Sequence, residues 1–164
     1  MIKKIARQAI FYLTLFFRDF YDVRKIWLLF NIYPYTMVSY ERLSNVYELS
    51  NIVEKKSVNG SFVECGVWKG GCSAIMGYVA GKAGNGRKTW LFDSFEGLPE
   101  PSEKDGIMAK EYAKGKTSGS LTTISKCVAS LEDVHEVFFR KLKIKPEHIS
   151  IKKGWFQDTL GKNK

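Results

Sequence analysis

Two acids in this chain stand where a carboxylate can do chemistry. Glu64 lies in "FVECGVWKGG" (62–71), where a short apolar run meets an acid and three glycines, Gly66, Gly70 and Gly71, follow within six positions. Asp93 lies in "WLFDSFEGLPEP" (90–101), twenty-nine positions later. Each is expected to close a short parallel strand, and ligands of open parallel sheets gather outside the carboxyl ends of their strands. A carboxylate after the second strand can accept hydrogen bonds from both ribose hydroxyls of an adenosine-containing cofactor. The glycines run Gly66-x-x-x-Gly70-Gly71, not the G-x-G-x-x-G on which a pyrophosphate rests. Glu64 would repel a pyrophosphate and tolerate a cationic amino-acid moiety. The sulfonium and ammonium of S-adenosylmethionine fit that sign of charge better than NAD does. The competing reading is a turn that only packs helix on strand, with Glu64 facing solvent.

The surrounding elements must hold those acids in place. "SFVEC" predicts the first core strand over 61–65, after the Asn59-Gly60 turn signal. "CSAIMGYVAGKA" (72–83) is small and apolar at helical spacing, and "TWLFD" (89–93) is the next strand. Strand, glycine turn, helix and strand make a βαβ unit, which builds a parallel sheet covered by helices. Upstream, Val38, Leu43, Val46, Leu49 and Val53 share a face of a helix over 37–56. Residues 96–117 are polar and aperiodic, a loop over the site or a disordered segment. Ser130 and Asp133 outline a capping box for a helix over 130–142, and a third strand is expected over 148–152, ending at Gly154.

Composition bounds the rest. With 164 residues and 45% apolar content, one core and one domain are expected. Cys65, Cys72 and Cys127 are too few for a disulfide framework, and with His135 and His148 they match no zinc pattern, so a reducing cytoplasm is the default. Cys65 and Cys72 are expected to be small buried residues, and His135 a surface or packing residue. The net charge of +9 is spread from Lys3 to Lys164 without an aromatic stacking platform, which argues against nucleic acid. The apolar block of residues 9–17 is too short to span a bilayer and is interrupted by Arg18 and Asp19. Ile5, Ile10, Leu13 and Phe17, with Phe16 and Phe20, recur at helical spacing. They predict an amphipathic helix docked on the core or a partner, with membrane-surface contact through residues 1–32 as the alternative.

Four stretches carry a resemblance: "YTMVSYERLSNVYELSNIV" (35–53), "GSFVECGVWKGG" (60–71), "WLFDSFEGLPEP" (90–101) and "ISIKKGWFQDTL" (149–160). In order and spacing they resemble the macrocin O-methyltransferase (TylF-like) family over roughly residues 33–160. The family's members are class I S-adenosylmethionine-dependent enzymes that methylate sugar hydroxyls and use magnesium. The resemblance implies a Rossmann-like α/β fold, with residues 1–34 a helical extension and 35–164 the cofactor-binding part. It implies that Glu64, Gly66, Trp68 and Gly70 line the methionine moiety and that Asp93 holds the ribose. Ser94, Phe95 and Gly97 would border the adenosine, Thr36 and Met37 would close over it, and Gly154 and Trp155 would flank the adenine. Trp155 and Phe156 either stack there or pack in the core. The family's metal-binding and catalytic carboxylates, in a D-x-D-x-Y-like segment, are expected beyond residue 164, so the magnesium ligands are absent here. Three core strands would leave an open sheet edge and an uncovered face, which predicts association, including with a second copy. A saccharide or glycoside is the implied substrate.

Overall fold

The computed structural model describes residues 2–161, with side chains from residue 5 onward. Two helices lead, α1 (Ile2–Asp19) and α2 (Val23–Ile32), joined by a turn at which Asp22 caps α2 by accepting from the Lys25 amide at 2.9 Å. Helix α3 (Tyr40–Lys55) follows, then strand β1 (Phe62–Cys65), helix α4 (Gly71–Ala83) and strand β2 (Thr89–Asp93). After a long excursion carrying the short helix α5 (Ile107–Tyr112) come α6 (Leu131–His135), strand β3 (Ile149–Lys153) and α7 (Phe156–Thr159). The three strands form one parallel sheet in the order β1-β2-β3, with Glu64 beside Leu91 and Asp93 beside Lys153. The expected βαβ unit is therefore present.

One core joins both parts of the chain. Leu28, Leu29 and Ile32 of α2 and Leu43 of α3 cluster with Ile75 of α4, Leu91 of β2 and Phe138, all fully buried. Pleat alternation puts Leu91 on the face covered by α4 and sends Val63 and Cys65 to the other. On that other face β1 is bare: Val63 is 55% exposed, and Cys65, expected to be buried, is exposed. The cause is positional, because among the described residues β1 is an edge strand with no strand paired beyond it.

For two further expectations that leave alternatives open, the structure adds detail. The apolar stripe of α1 faces outward, with Ile10 64%, Phe17 71% and Phe20 69% exposed, while Phe11 and Leu15 on the opposite side enter the core. Periodicity detected an amphipathic helix, but the docking side is chosen by shape: Phe11 stacks on Tyr33 at 4.2 Å and meets Tyr40 edge-on. The 96–117 segment is not featureless, since it includes α5 and the outgoing leg of a narrow arm. Leu98 N donates to Lys126 O (2.8 Å), Ile124 N to Leu98 O (2.9 Å) and Glu100 N to Thr122 O (3.0 Å), with an antiparallel bridge between Pro99 and Thr123.

The Ser130–Asp133 capping box forms as expected. The helix it starts continues over Glu136–Lys141 as a π-helix, whose wider turn accompanies burial of adjacent Val137 and Phe138. Among the described residues no helix is long and apolar enough to cross a membrane.

Candidate functional site

The turn after β1 is built by backbone that most residues avoid. Gly66 has φ +83°, and a Cβ there would meet nothing within 4 Å, so the turn presents bare backbone to open space. Gly71 is needed for the opposite reason: a Cβ would lie 2.7 Å from the Tyr35 carbonyl oxygen, because the segment ahead of α3 crosses the start of α4. Trp68 holds φ +50° without glycine's freedom. Its indole N–H donates to the Val128 carbonyl at 3.2 Å, tying the turn to the returning leg of the arm.

Asp93 fixes this turn from below. Its Oδ2 accepts from the Val67 and Trp68 amides at 2.6 and 2.9 Å, and its Oδ1 from the Phe95 amide at 2.7 Å. A carboxylate has about four acceptor positions, so about one is left, on Oδ1. The sequence reading assigned both oxygens to a ribose; the structure commits Oδ2 to the glycine turn.

Glu64 does a parallel job. Its Oε2 accepts from the Ser73 amide at 2.9 Å and from the Ser73 hydroxyl, satisfying an amide of the first turn of α4 that has no intrahelical partner. Burial raises the Glu64 pKa, the two Ser73 hydrogen bonds oppose that rise, and the charge of Asp93 adds to it. The two acids are thus close enough to feel each other, on the same face and at the same end of the sheet. Among the described residues neither has a cationic partner, and Lys69 of the turn pairs with Asp133 at 3.1 Å instead. The reading in which Glu64 merely faces solvent does not hold.

Beside these acids lies a cavity of about 320 Å³. Met37, Gly66, Trp68, Asp93, Ser94, Gly97, Gly154 and Trp155 line it, eight of the twelve residues named from sequence. The other four lie behind it. Thr36 packs where a Gly71 side chain would stand, and its hydroxyl accepts from the Val38 amide. Gly70 is backed by Phe138, Phe95 is a core residue 7% exposed, and Glu64 sits under α4.

Five lining residues had no cofactor role in the sequence, Leu98, Pro99, Leu121, Cys127 and Gln157, and Phe156 was open between stacking and core packing. Leu98 and Pro99 sat inside a quoted motif, and Phe156 and Gln157 follow Gly154-Trp155 directly. Leu121 and Cys127 carried no local signal, since only the pairing of the arm brings them there. Gly97 allows that pairing: a Cβ would lie 2.3 Å from the Lys126 carbonyl oxygen.

Trp155 is half-buried and Phe156 is 41% exposed, and both face the cavity rather than the core. Cys72 is held near the start of α4, where burial pushes its thiol up to about 11, so it is no nucleophile. His135 is exposed beside Phe139. Among the described residues no group of three or more His, Cys, Asp or Glu side chains could hold a metal ion.

The comparison with known families now has a geometry to meet. A family model described as Macrocin-O-methyltransferase (TylF) matches residues 27–164. The chain belongs to the macrocin O-methyltransferase family. Over 127 residues, 77% of the chain, it is 33% identical to the 8-demethyl-8-(2,3-dimethoxy-alpha-L-rhamnosyl)-tetracenomycin-C 4'-O-methyltransferase of Streptomyces olivaceus, covering 46% of that protein. It shows the same identity and coverage with the demethyldecarbamoylnovobiocin O-methyltransferase of Streptomyces niveus. Mycinamicin III 3''-O-methyltransferase of Micromonospora griseorubida is 28% identical, with 48% of its length covered. The solved structure of the O-methyltransferase NovP superposes with a TM-score of 0.61 at 30% identity, over 79% of this chain and 51% of that one. The chain spans about half the length of the curated relatives it matches.

Proposed function

We propose that this chain is the cofactor-binding part of an S-adenosylmethionine-dependent O-methyltransferase whose acceptor is a hydroxyl of a sugar. The observation that carries the reading is the pair of acids without a cation, Glu64 and Asp93, at one end of the sheet beside a cavity whose floor is the bare backbone of Gly66.

The cofactor supplies an electrophilic methyl group on a sulfonium. In this reading Glu64 gives the negative field that favours that cation and its ammonium group. The remaining acceptor capacity of Asp93 Oδ1 takes one ribose hydroxyl. Trp155 and Phe156 form the wall against which an adenine would stack, and Met37, Leu98 and Leu121 exclude water around it. The names of the relatives support the acceptor class, since the first is named for a rhamnosyl-bearing compound. In the same reading residues 1–34 are a helical extension and residues 35–164 the cofactor-binding part.

Isothermal titration with S-adenosylhomocysteine tests the proposal. Saturable binding, with NADH failing to compete, is the expected result. Absence of heat at millimolar ligand, or quenching of tryptophan fluorescence by NADH alone, would overturn it.

A further inference from the structure

The outer face of α1 has no function in the reading above, yet its orientation is fixed. Phe11 and Leu15 anchor the helix in the core, and the Arg7 guanidinium donates to the Met37 carbonyl. What then faces outward is a continuous apolar surface. Ile10, Leu13, Phe17 and Phe20 succeed one another at three- and four-residue spacing, flanked by Phe16 and Ile5, and each is more than half exposed. Past the turn Tyr21 and Val23 are also exposed, while Trp27, 43% exposed, packs against Tyr78 of α4.

On the two helices themselves the exposed charges are of one sign, while Glu41 and Glu48 of α3 lie within reach of Arg18. From residue 5 to residue 30 the exposed charged side chains are Arg7, Arg18 and Arg24. Both acids of that stretch are used internally. Asp19 is 2% exposed, paired with buried Lys25 at 2.9 Å and accepting from the Tyr40 hydroxyl at 2.7 Å. Asp22 caps α2 and accepts from the Tyr47 hydroxyl.

We infer that α1 and the start of α2 form an in-plane docking surface for an anionic lipid bilayer. An aromatic-rich apolar helix face with arginines beside it matches the headgroup boundary of such a surface, where apolar burial and cation attraction add. Tyr21 at the turn has the part-polar ring that suits that boundary. A second copy of the chain fits less well. Isologous pairing sets the same patch against itself, and within residues 5–30 the exposed charges that would meet are all arginines. The helix lies on the bilayer and does not cross it.

The test is co-sedimentation of the full chain with vesicles of phosphatidylcholine alone and of an equimolar mixture with phosphatidylglycerol. Binding is expected to the mixed vesicles, about tenfold or more above the neutral ones, and to fall as salt is raised. The double substitution F17E/F20E, at side chains already in solvent, is expected to abolish binding while the far-UV circular dichroism and melting midpoint match the parent. The salt and lipid dependence of the parent protein decides the matter even if that variant folds poorly. Failure to sediment with mixed vesicles, or equal binding to both compositions, would overturn the inference. So would a dimer in light scattering that F17E/F20E dissociates while vesicles capture nothing, which would make the face a self-association surface.

Discussion

The two ends of the three-stranded sheet solve the same problem with opposite charge balances. At the amino end, Arg87 donates from Nη1 to the Gly60 carbonyl and from Nη2 to the Val58 carbonyl, both at 2.6 Å, and its Nε pairs with Glu54, which also accepts from Asn85. Arg87 and Glu54 are both nearly buried, and each neutralises the other. At the carboxyl end, Asp93 and Glu64 hold backbone amides in the same manner, but among the described residues no cation answers them. A protein built only for stability would pair those acids as it pairs Glu54. Leaving two interacting carboxylates uncompensated costs stability, and in the proposed function a positively charged ligand would recover that cost.

The largest expected effect is at the balanced end. Arg87→Met strands a buried Glu54 and frees two carbonyls, so denaturant unfolding should show a loss of about 3–5 kcal/mol. Asp93→Asn turns an acceptor into a donor facing the Val67 and Trp68 amides. We expect a loss of about 3 kcal/mol in the same assay, together with loss of S-adenosylhomocysteine binding in titration. A result in which R87M loses ligand affinity while stability is unchanged would reverse the comparison.

Smaller effects sharpen it. Phe156→Ala removes an exposed ring from the cavity wall, so calorimetric affinity for S-adenosylhomocysteine should fall by about 1–2 kcal/mol with an unchanged melting midpoint. Glu64→Gln keeps an acceptor for Ser73 and deletes the charge. Affinity for S-adenosylmethionine should fall about tenfold, more than for the uncharged-sulfur product, as read by competition. Its effect on stability has a definite sign. Because burial raises the Glu64 pKa in the fold, the stability tied to this group is complete below the ordinary carboxylate range and is lost as pH rises through the raised value. E64Q should therefore flatten that part of the pH profile, and a melting series across acidic pH would show whether it does.

Much of the sheet was legible because its signals are local. "TWLFD" is a strand over the predicted residues, the strand at 62–65 starts one residue later than expected, and the strand at 149–153 is shifted by one residue at both ends. The glycine turn was legible for the same reason, since positive φ at Gly66 and the crossing at Gly71 both require a missing side chain. The arm was not, because its legs pair across more than twenty residues and its turn chemistry is spread among serines and threonines. Cys65 was misplaced because burial of a strand residue depends on what covers the sheet, a property of neighbours rather than of the strand.

The sequence by itself determined the order of elements, the side-chain-free turn and the two acids at strand ends, because each follows from the preference of a few adjacent residues. Only the tertiary structure decided which face of α1 docks and that Asp93 spends one oxygen on the turn. It also decided that Leu121 and Cys127 join the cavity and that the site acids lack the partner Glu54 has. Those facts depend on which distant groups come within a few ångströms, and a one-dimensional pattern of residue types does not fix that distance.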